Sequence, residues 1–311
     1  MLLTLCFLFL RLWLAFAEAR KRRKTVSGIL PHYYMYEPNN RTFAAKFAEL
    51  PPNSRSLEPN FYTEPPAWGF LSYSQRSQQD IVINDYFNGK HYGFFVDLAA
   101  NEWQDFSNTY ALEFYLGWKG LCIEPDPEYL IGLLSNRKCK LFTNAVTAKN
   151  NEKVTFRFHE KGFGGLSGIV GQEFDNHGNM ETDVTLRTTT LTTILDFAQA
   201  PKVMEYLSLD VEGAEYLVLK GLDFHKYTFL AITIERPQPN SHRLLSANGY
   251  RYVYQMADFG ECIYLHRSKD NFAQLMQQYR HGSDPPFWHE KSRSYLLHPP
   301  WNSSSDPSLE N

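Results

Sequence analysis

Carboxylate side chains stand at the ends of four short apolar runs in this 311-residue chain: Asp97, Glu124, Asp210 with Glu212, and Glu235. Short apolar runs of this kind are typical of buried parallel strands. In an open parallel sheet, ligands bind outside the carboxyl ends of the strands, near the point where the strand order reverses. The sequence therefore predicts a binding site at that edge, where Glu124 is suited to accept hydrogen bonds from a ribose diol.

Alternating strand and helix patterns predict the elements that position these acids. The predicted strands are 94–97, 120–124, 140–146, 205–210 and 229–235, the predicted helices are 107–116, 127–136, 213–219 and 241–247, and 251–255 with 261–266 form a terminal antiparallel pair. Ser107 is a plausible N-cap of the first helix, and Gly117 closes it. The pattern predicts an α/β fold with a doubly wound, mostly parallel sheet and helices on both faces.

The connection between the third and fourth predicted strands has roughly 60 residues, whereas αβ loops commonly have only 2–6. Within this insertion (about 150–190), residues 153–158 and 184–188 are strand-like, and residues 162–168 are rich in glycine. Residues 191–197, just beyond it, are helix-like. The insertion is either a lid or substrate loop near the carboxyl edge of the sheet or a plain surface excursion.

Charge and missing motifs exclude several function classes. Residues 1–30 hold six Lys or Arg and one Glu, so a formal net charge of −3 leaves −8 for the rest of the chain. An acidic body disfavours nucleic-acid binding. Residues 98–105 contain no glycine, which disfavours a dinucleotide-binding loop. No Walker lysine, His-Glu-x-x-His helix or Gly-x-Ser-x-Gly elbow is present, and no metal site is predicted.

The chain termini carry targeting and accessory signals. Residues 1–24 contain an apolar stretch (2–17) followed by a basic run, which predicts a signal peptide or signal anchor that leads into the secretory pathway, with possible membrane anchoring through residues 2–17. A cytosol-facing anchor and an organelle-targeting leader remain alternatives. Residues 25–73 are expected to form a Pro- and Tyr-rich wrapping arm with one short helix at 42–49, and residues 268–311 a mostly irregular tail.

Three cysteines lie in the body of the chain: Cys122, Cys139 and Cys262. Cys122 and Cys139 can form a disulfide if their strands are adjacent. Two ordinary buried thiols are the other interpretation.

Residues 74–266 carry blocks that resemble a known family. The three longest blocks are Gly93–Asn101 (GFFVDLAAN), Gly117–Pro125 (GWKGLCIEP) and Tyr206–Glu215 (YLSLDVEGAE). Shorter blocks lie at 74–75, 79–80, 107–109, 218–221 and 232–235. Together they resemble the FkbM-type methyltransferases, which use S-adenosylmethionine. The resemblance implies a Rossmann-like methyltransferase fold for residues 74–267.

The resemblance also implies a role for each matching residue. Asp97 and the turn from Ala99 to Asn101 would hold the methionine part of the cofactor. Ser107, Asn108 and Thr109 would begin the helix beside it. Glu124 would take the ribose hydroxyls, flanked by Pro125 and Asp126, and Asn144 with Ala145 would lie against the adenine. Asp210, in contact with the cofactor, and Glu212 would stand where cofactor and acceptor meet.

The predicted function is an O-methyltransferase that acts on a hydroxyl of a sugar, glycan or related metabolite. Asp210, Glu212 and Glu235 are the predicted catalytic residues, with Glu212 or Glu235 as general base if burial raises its pKa. The family has glycine at the positions of Ala99 and Trp103, so Trp103 either roofs the cofactor pocket or fills it. If it fills the pocket, the chain is a catalytically silent binding protein. A glycosyltransferase is disfavoured because no Asp-x-Asp pair is present.

Overall fold

The computed structural model describes residues 35–36, 73–74, 79–159, 166–172, 174–176, 183–257, 259–279, 287–289 and 294–296. The strands are β1 (Met35–Tyr36), β2 (Phe94–Leu98), β3 (Lys119–Ile123), β4 (Lys140–Phe142), β5 (Ala145–Val146), β6 (Lys153–Arg157), β7 (Gly168–Ile169), β8 (Asp183–Thr189), β9 (Val203–Leu209), β10 (Thr228–Glu235), β11 (Tyr250–Gln255), β12 (Glu261–His266), β13 (Phe287–His289) and β14 (Ser294–Leu296). The helices are α1 (Gln79–Tyr86), α2 (Tyr110–Leu116), α3 (Pro127–Asn136), α4 (Leu191–Ala198), α5 (Glu215–Lys220), α6 (Pro239–Ala247) and α7 (Phe272–Tyr279).

Eight strands form one sheet in the order β1-β4-β3-β2-β9-β10-β12-β11. β4, β3, β2, β9 and β10 are parallel, whereas β12 is antiparallel to β10 and β11, and β1 is antiparallel to β4. The chain runs from β2 outward to β3 and β4, and then returns to the other side of β2 as β9. The strand order therefore reverses between β2 and β9, and the predicted doubly wound α/β fold with its antiparallel terminal pair is confirmed.

Both faces of the central strands are buried, as their nearly continuous apolar sequences predict. In β2, Val96 and Leu98 belong to one hydrophobic cluster, while Phe95 belongs to the cluster on the opposite face. The same alternation places Leu207 of β9 in the first cluster and Tyr206 in the second. This packing fixes the strand ends, and with them the acids that follow.

The third predicted strand, 140–146, is interrupted in the structure. Lys140–Phe142 pairs with β3 in the main sheet, whereas Ala145–Val146 pairs with β8 in a separate four-stranded sheet ordered β5-β8-β6-β7. The insertion thus forms this small sheet of its own, with Phe156, Phe158 and Ile169 in its core. The bend at 143–144 lets the chain leave one sheet for the other.

Several other segments differ from the sequence expectation or lie outside the described residues. The tail after 267, expected to be mostly irregular, contains α7 and the hairpin β13–β14. Helix α7 is amphipathic and packs Leu275 into the core. The predicted helix at 42–49 and the leader 1–24 lie outside the described residues. Within the described part of the chain, no helix is both long and apolar enough to cross a bilayer.

Cys122 and Cys139 form a disulfide with Cα atoms 5.8 Å apart, while Cys262 is a free, buried thiol. The bond joins β3 to the residue just before β4. It closes a loop that contains the end of β3 and all of α3.

Candidate active site

The carboxyl group of Asp97 is the centre of a buried polar network at the end of β2. Only 1% of the residue is exposed. The Thr109 hydroxyl donates a 2.5 Å hydrogen bond to Asp97 Oδ2, and the Ser208 hydroxyl donates another to the same carboxyl group. Burial raises the pKa of Asp97 to about 6, and the Arg137 guanidinium opposes that rise. Asp97 is therefore held firmly and titrates close to neutral pH.

The start of α2 is tied to this network. The helix begins at Tyr110 rather than at Ser107 as predicted, but the Ser107 hydroxyl still accepts a 3.1 Å hydrogen bond from the Tyr110 amide. The Asn108 amide group donates to Ser208 Oγ at 3.0 Å, and its oxygen accepts from Ser74 Oγ at 2.9 Å. The three predicted residues 107–109 thus lie together beside β2 and β9.

Glu124 lies at the end of β3 and faces the loop that follows β2. Its two carboxylate oxygens accept hydrogen bonds from the backbone amides of Asn101 (2.9 Å) and Asp126 (2.7 Å). Asn101 has a left-handed backbone, with φ of 52°, and such outliers are concentrated at functional sites. Burial raises the pKa of Glu124 to about 8. The structure brings Asn101 and Glu124 together.

The other predicted cofactor residues flank these acids at the strand ends. Ala99 follows β2 and Pro125 follows β3, and both are half-buried. Asn144 follows β4, and its Oδ1 atom is buried with no hydrogen-bond partner among the described residues. Ala145 instead begins β5 and packs with Phe156 in the core of the small sheet.

Trp103 lies between two helices. Its ring is edge-on to the Tyr110 ring of α2, with centroids 5.8 Å apart. It also lies directly over Gly132 of α3, where an added Cβ would be 2.7 Å from Trp103 Cδ1. These contacts place the ring in the helix layer.

A second cluster of acids lies where β9 and β10 end. The Nη2 atom of Arg236 contacts carboxylate oxygens of Glu235 at 2.5 Å, Asp175 at 2.6 Å and Glu212 at 3.2 Å. Those three acids offer oxygens within 4.8 Å of one another, which is a spacing that a metal ion can bridge. Because one guanidinium nitrogen already contacts all three, Arg236 supplies the positive charge at their centre.

Burial and repulsion between neighbouring carboxylates raise the pKa values of Asp210 and Glu212 at these strand ends. The pKa of Asp210 lies well above its ordinary value because of burial and then the nearby Glu235. Burial, followed by Asp210, also raises the pKa of Glu212, while Arg236 opposes the rise. Asp210 Oδ1 is buried without a hydrogen-bond partner in the described part of the chain. Glu212 and Arg236 both have left-handed φ values, 56° and 44°.

The insertion spans the space between the two groups of acids. On one side, the Ser167 hydroxyl donates a 2.9 Å hydrogen bond to Asp126. On the other side, a Cβ added at Gly168 would be 2.9 Å from Asn176 Nδ2 and 3.1 Å from Glu212 Cβ. Residues 167 and 168 therefore lie between the residues that follow β3 and those that follow β9.

Three charged residues of the site are absent from the sequence-based set. Arg236 follows a predicted acid directly and could have been found from that position. Asp175 comes from the insertion, and Arg137 follows α3, so neither has a local sequence signal that links it to the strand ends.

Comparisons with known proteins bear on the family. Residues 88–252 match the family described as "Methyltransferase FkbM domain". The crystal structure of a precorrin-6y C5,15-methyltransferase from Geobacter metallireducens GS-15 is similar over 60% of this chain and 85% of that one, at 9% identity and a TM-score of 0.31. No curated protein matches the chain.

Proposed function

Because the chain belongs to the FkbM methyltransferase family and has its Rossmann-like fold, we propose that it transfers a methyl group from S-adenosylmethionine to a hydroxyl oxygen. The proposed acceptor is a sugar, a glycan or a related metabolite. The observation that carries the proposal is the placement of two sets of buried or partly buried carboxylates at the reversal of strand order. Asp97 and Glu124 lie on the β2–β3 side, and Asp210, Glu212 and Glu235 on the β9–β10 side.

The residues on the β2–β3 side fit the cofactor. Glu124 is buried and acceptor-only when ionised, so ribose hydroxyls are suitable donors to its remaining lone pairs. The unpartnered Asn144 Oδ1 atom suits an adenine amino group, and Asp97 suits the methionine ammonium. The bound cofactor supplies a methyl group on a positively charged sulfur.

The residues on the β9–β10 side fit an acceptor hydroxyl. Methyl transfer requires the oxygen to approach in line and to lose its proton, so positioning supplies much of the rate. We assign proton removal to Glu212, because burial raises the pKa of this carboxyl group and so makes its carboxylate a stronger base. Glu235 contacts Arg236 and holds its guanidinium group next to Glu212. Asp210 Oδ1 accepts a hydrogen bond from the acceptor hydroxyl.

The contacts of Trp103 favour this function over a silent binding protein. That alternative required the ring to fill the cofactor pocket, whereas the ring lies on Gly132 and against Tyr110.

The direct experiment is methyl transfer from labelled cofactor to a panel of glycans and small alcohols. We expect the wild-type chain to transfer the labelled methyl group to a hydroxyl-bearing acceptor. Glu212→Gln should lose about 100-fold or more in turnover, which is a typical contribution of general-base catalysis, while keeping its affinity for S-adenosylhomocysteine. Glu152→Gln, an exposed acid in the insertion, is the matched control. Full activity of a folded Glu212→Gln variant would refute the assigned role.

We also propose that the chain is processed through the secretory pathway, as a secreted or luminal protein. The Cys122–Cys139 disulfide supports this, because such bonds persist in oxidising compartments. Alkylation of thiols in intact cells before lysis tests it. A chain in which Cys122 and Cys139 are both alkylated would contradict the proposal.

A further inference from the structure

The side chain of Arg137 is fully buried beneath the loop that follows β2. Its Nη2 donates to Thr109 Oγ1 at 2.8 Å, and its Nη1 donates to Ser107 Oγ at 3.1 Å and to the Trp103 carbonyl at 3.4 Å. The guanidinium carbon also lies 5.8 Å from the centroid of the Tyr110 ring. One side chain from the end of α3 therefore contacts three positions of loop 99–109.

Loop 99–109 needs such a restraint because it has no glycine. Asn101 and Phe106 adopt left-handed backbones, with φ of 52° and 66°. Residues with a Cβ resist this conformation unless the surrounding structure holds it. The Trp103 ring also lies against Gly132 of α3, so α3 contacts the loop at Trp103 as well as through Arg137.

Arg137 is itself held in place by α2. Its Nε atom lies 3.4 Å from Glu113 Oε2. The same Glu113 accepts hydrogen bonds from the backbone amides of Lys138 (2.8 Å) and Cys139 (3.2 Å). Cys139 is bound to Cys122 of β3. The guanidinium thus has a fixed position relative to β3 and α2.

We propose that Arg137 is a positioning residue of the cofactor site, which holds the glycine-free loop 99–109 in the conformation that binds the nucleoside and methionine parts of the cofactor. This inference rests on the proposed function. Arg137 acts on Asp97 through Thr109, whose hydroxyl accepts a hydrogen bond from Arg137 and donates one to Asp97. Arg137 also acts on Glu124 by holding the loop, because the Asn101 amide of that loop donates a hydrogen bond to Glu124.

The charged surroundings of Asp97 give a readout that a purely structural role would not change. Arg137 and the Thr109 hydroxyl lower the pKa of Asp97, Glu113 raises it, and Asp97 itself raises the pKa of Glu124. If the Thr109 contact is removed, the Asp97 pKa should rise. Binding of a cofactor whose ammonium pairs with ionised Asp97 should then require a higher pH.

Two variants test the inference. Arg137→Lys keeps the charge but cannot reach Thr109, Ser107 and Glu113 together. Thr109→Val has nearly the same shape and leaves the Arg137–Glu113 pair intact, so it keeps the experiment valid if Arg137→Lys fails to fold. Arg187→Lys is the matched control, because Arg187 bonds to Asn151 in the insertion.

The measurement is calorimetric titration with S-adenosylhomocysteine at several pH values between 5 and 8. We expect 10- to 100-fold weaker binding in both test variants at pH 7, which is typical of losing a charged hydrogen bond. We also expect the pH midpoint of binding, near 6 for the wild type if Asp97 governs it, to move upward in Thr109→Val. The control should bind as the wild type does.

The outcomes separate this inference from the proposed function. Equal affinity and an unchanged pH midpoint in both folded variants would overturn the role of Arg137 alone. A folded wild-type chain that binds no S-adenosylhomocysteine would overturn the proposed function, and this inference with it. Faster amide hydrogen exchange in residues 99–109 of unliganded Thr109→Val supports the inference, and unchanged exchange contradicts it.

Discussion

The buried carboxyl of Glu124 makes the stability of this chain depend on pH. Burial raises its pKa from 4.5 to about 8 in the folded chain. Between those values the folded chain retains a proton that the unfolded chain releases. The free energy of unfolding must therefore fall as pH rises from about 4.5 to 8, because stability falls wherever the folded state binds more protons.

The size of this effect follows from the pKa difference. One pKa unit is equivalent to about 1.4 kcal/mol, so the rise from 4.5 to about 8 corresponds to at most about 5 kcal/mol. That is comparable to the whole stability of many domains, which is about 5–15 kcal/mol. Asp97, with a pKa raised by burial to about 6, acts in the same direction over a lower pH range.

Urea unfolding of the wild type and Glu124→Gln at pH 5 to 9 measures the effect. The variant loses one acceptor for the backbone amides of Asn101 and Asp126, so it should be about 1–3 kcal/mol less stable at pH 5. As the pH rises, the free energy of unfolding of the variant should fall less steeply than that of the wild type. The difference in favour of the wild type should therefore shrink or reverse by pH 9. Asp105→Asn, an exposed acid of the same loop, should follow the wild-type slope. Parallel curves for wild type and Glu124→Gln would refute the reasoning.

Three further predictions concern packing, the disulfide and the acid cluster. Gly132→Ala should reduce the free energy of unfolding by about 1–3 kcal/mol in urea, because the new methyl group overlaps the Trp103 ring. Replacing Cys122 and Cys139 with Ala should cost about 3 kcal/mol, the value for a loop of similar length, measured against the oxidised wild type in guanidinium chloride. Arg236→Gln leaves a partly buried acid cluster without its cation, so stability at pH 7 should fall, at most by the value for a fully buried pair, about 3–5 kcal/mol. The loss should be smaller in thermal melts at pH 5, because the raised pKa values of Asp210 and Glu212 favour their neutral forms there.

Each of these predictions has a result that contradicts it. A Gly132→Ala chain as stable as the wild type would mean that Trp103 does not rest on α3. A reductant that destabilises the double-alanine variant as much as the wild type would show that the Cys122–Cys139 bond is not the stabilising group. A loss of stability in Arg236→Gln that is the same at pH 5 and 7 would argue against repulsion among the acids as its cause.

Local sequence patterns predicted the central strands and helices α2 to α6, because each of these elements has its own signature, whereas α1 and α7 were not predicted. Helix α3 spans Pro127–Asn136 as predicted, since its N-cap Asp126 and the proline at its first turn are local signals. Strand 140–146 was predicted as one element, because its sequence KLFTNAV contains no glycine or proline that would interrupt a strand. The structure divides it, since Ala145 pairs with Thr188, more than 40 positions away.

The acids at the strand ends were also predictable, because each lies at or just after the carboxyl end of a strand, whereas their partners were not. Arg137 reaches Thr109 across 28 positions, and Asp175 reaches Arg236 from the insertion. Neither residue has a periodicity or motif that indicates its contacts. Only the packing of α3 on α2, and of the insertion on the strand ends, brings these pairs together.

Calorimetric titration of the folded wild-type chain with S-adenosylhomocysteine tests the central claim most directly. We predict saturable binding of one molecule per chain, weakened by about 10- to 100-fold in Glu124→Ala, which loses its hydrogen bonds to the ribose. Glu152→Ala should bind as the wild type does. A folded wild-type chain that shows no binding would contradict the account.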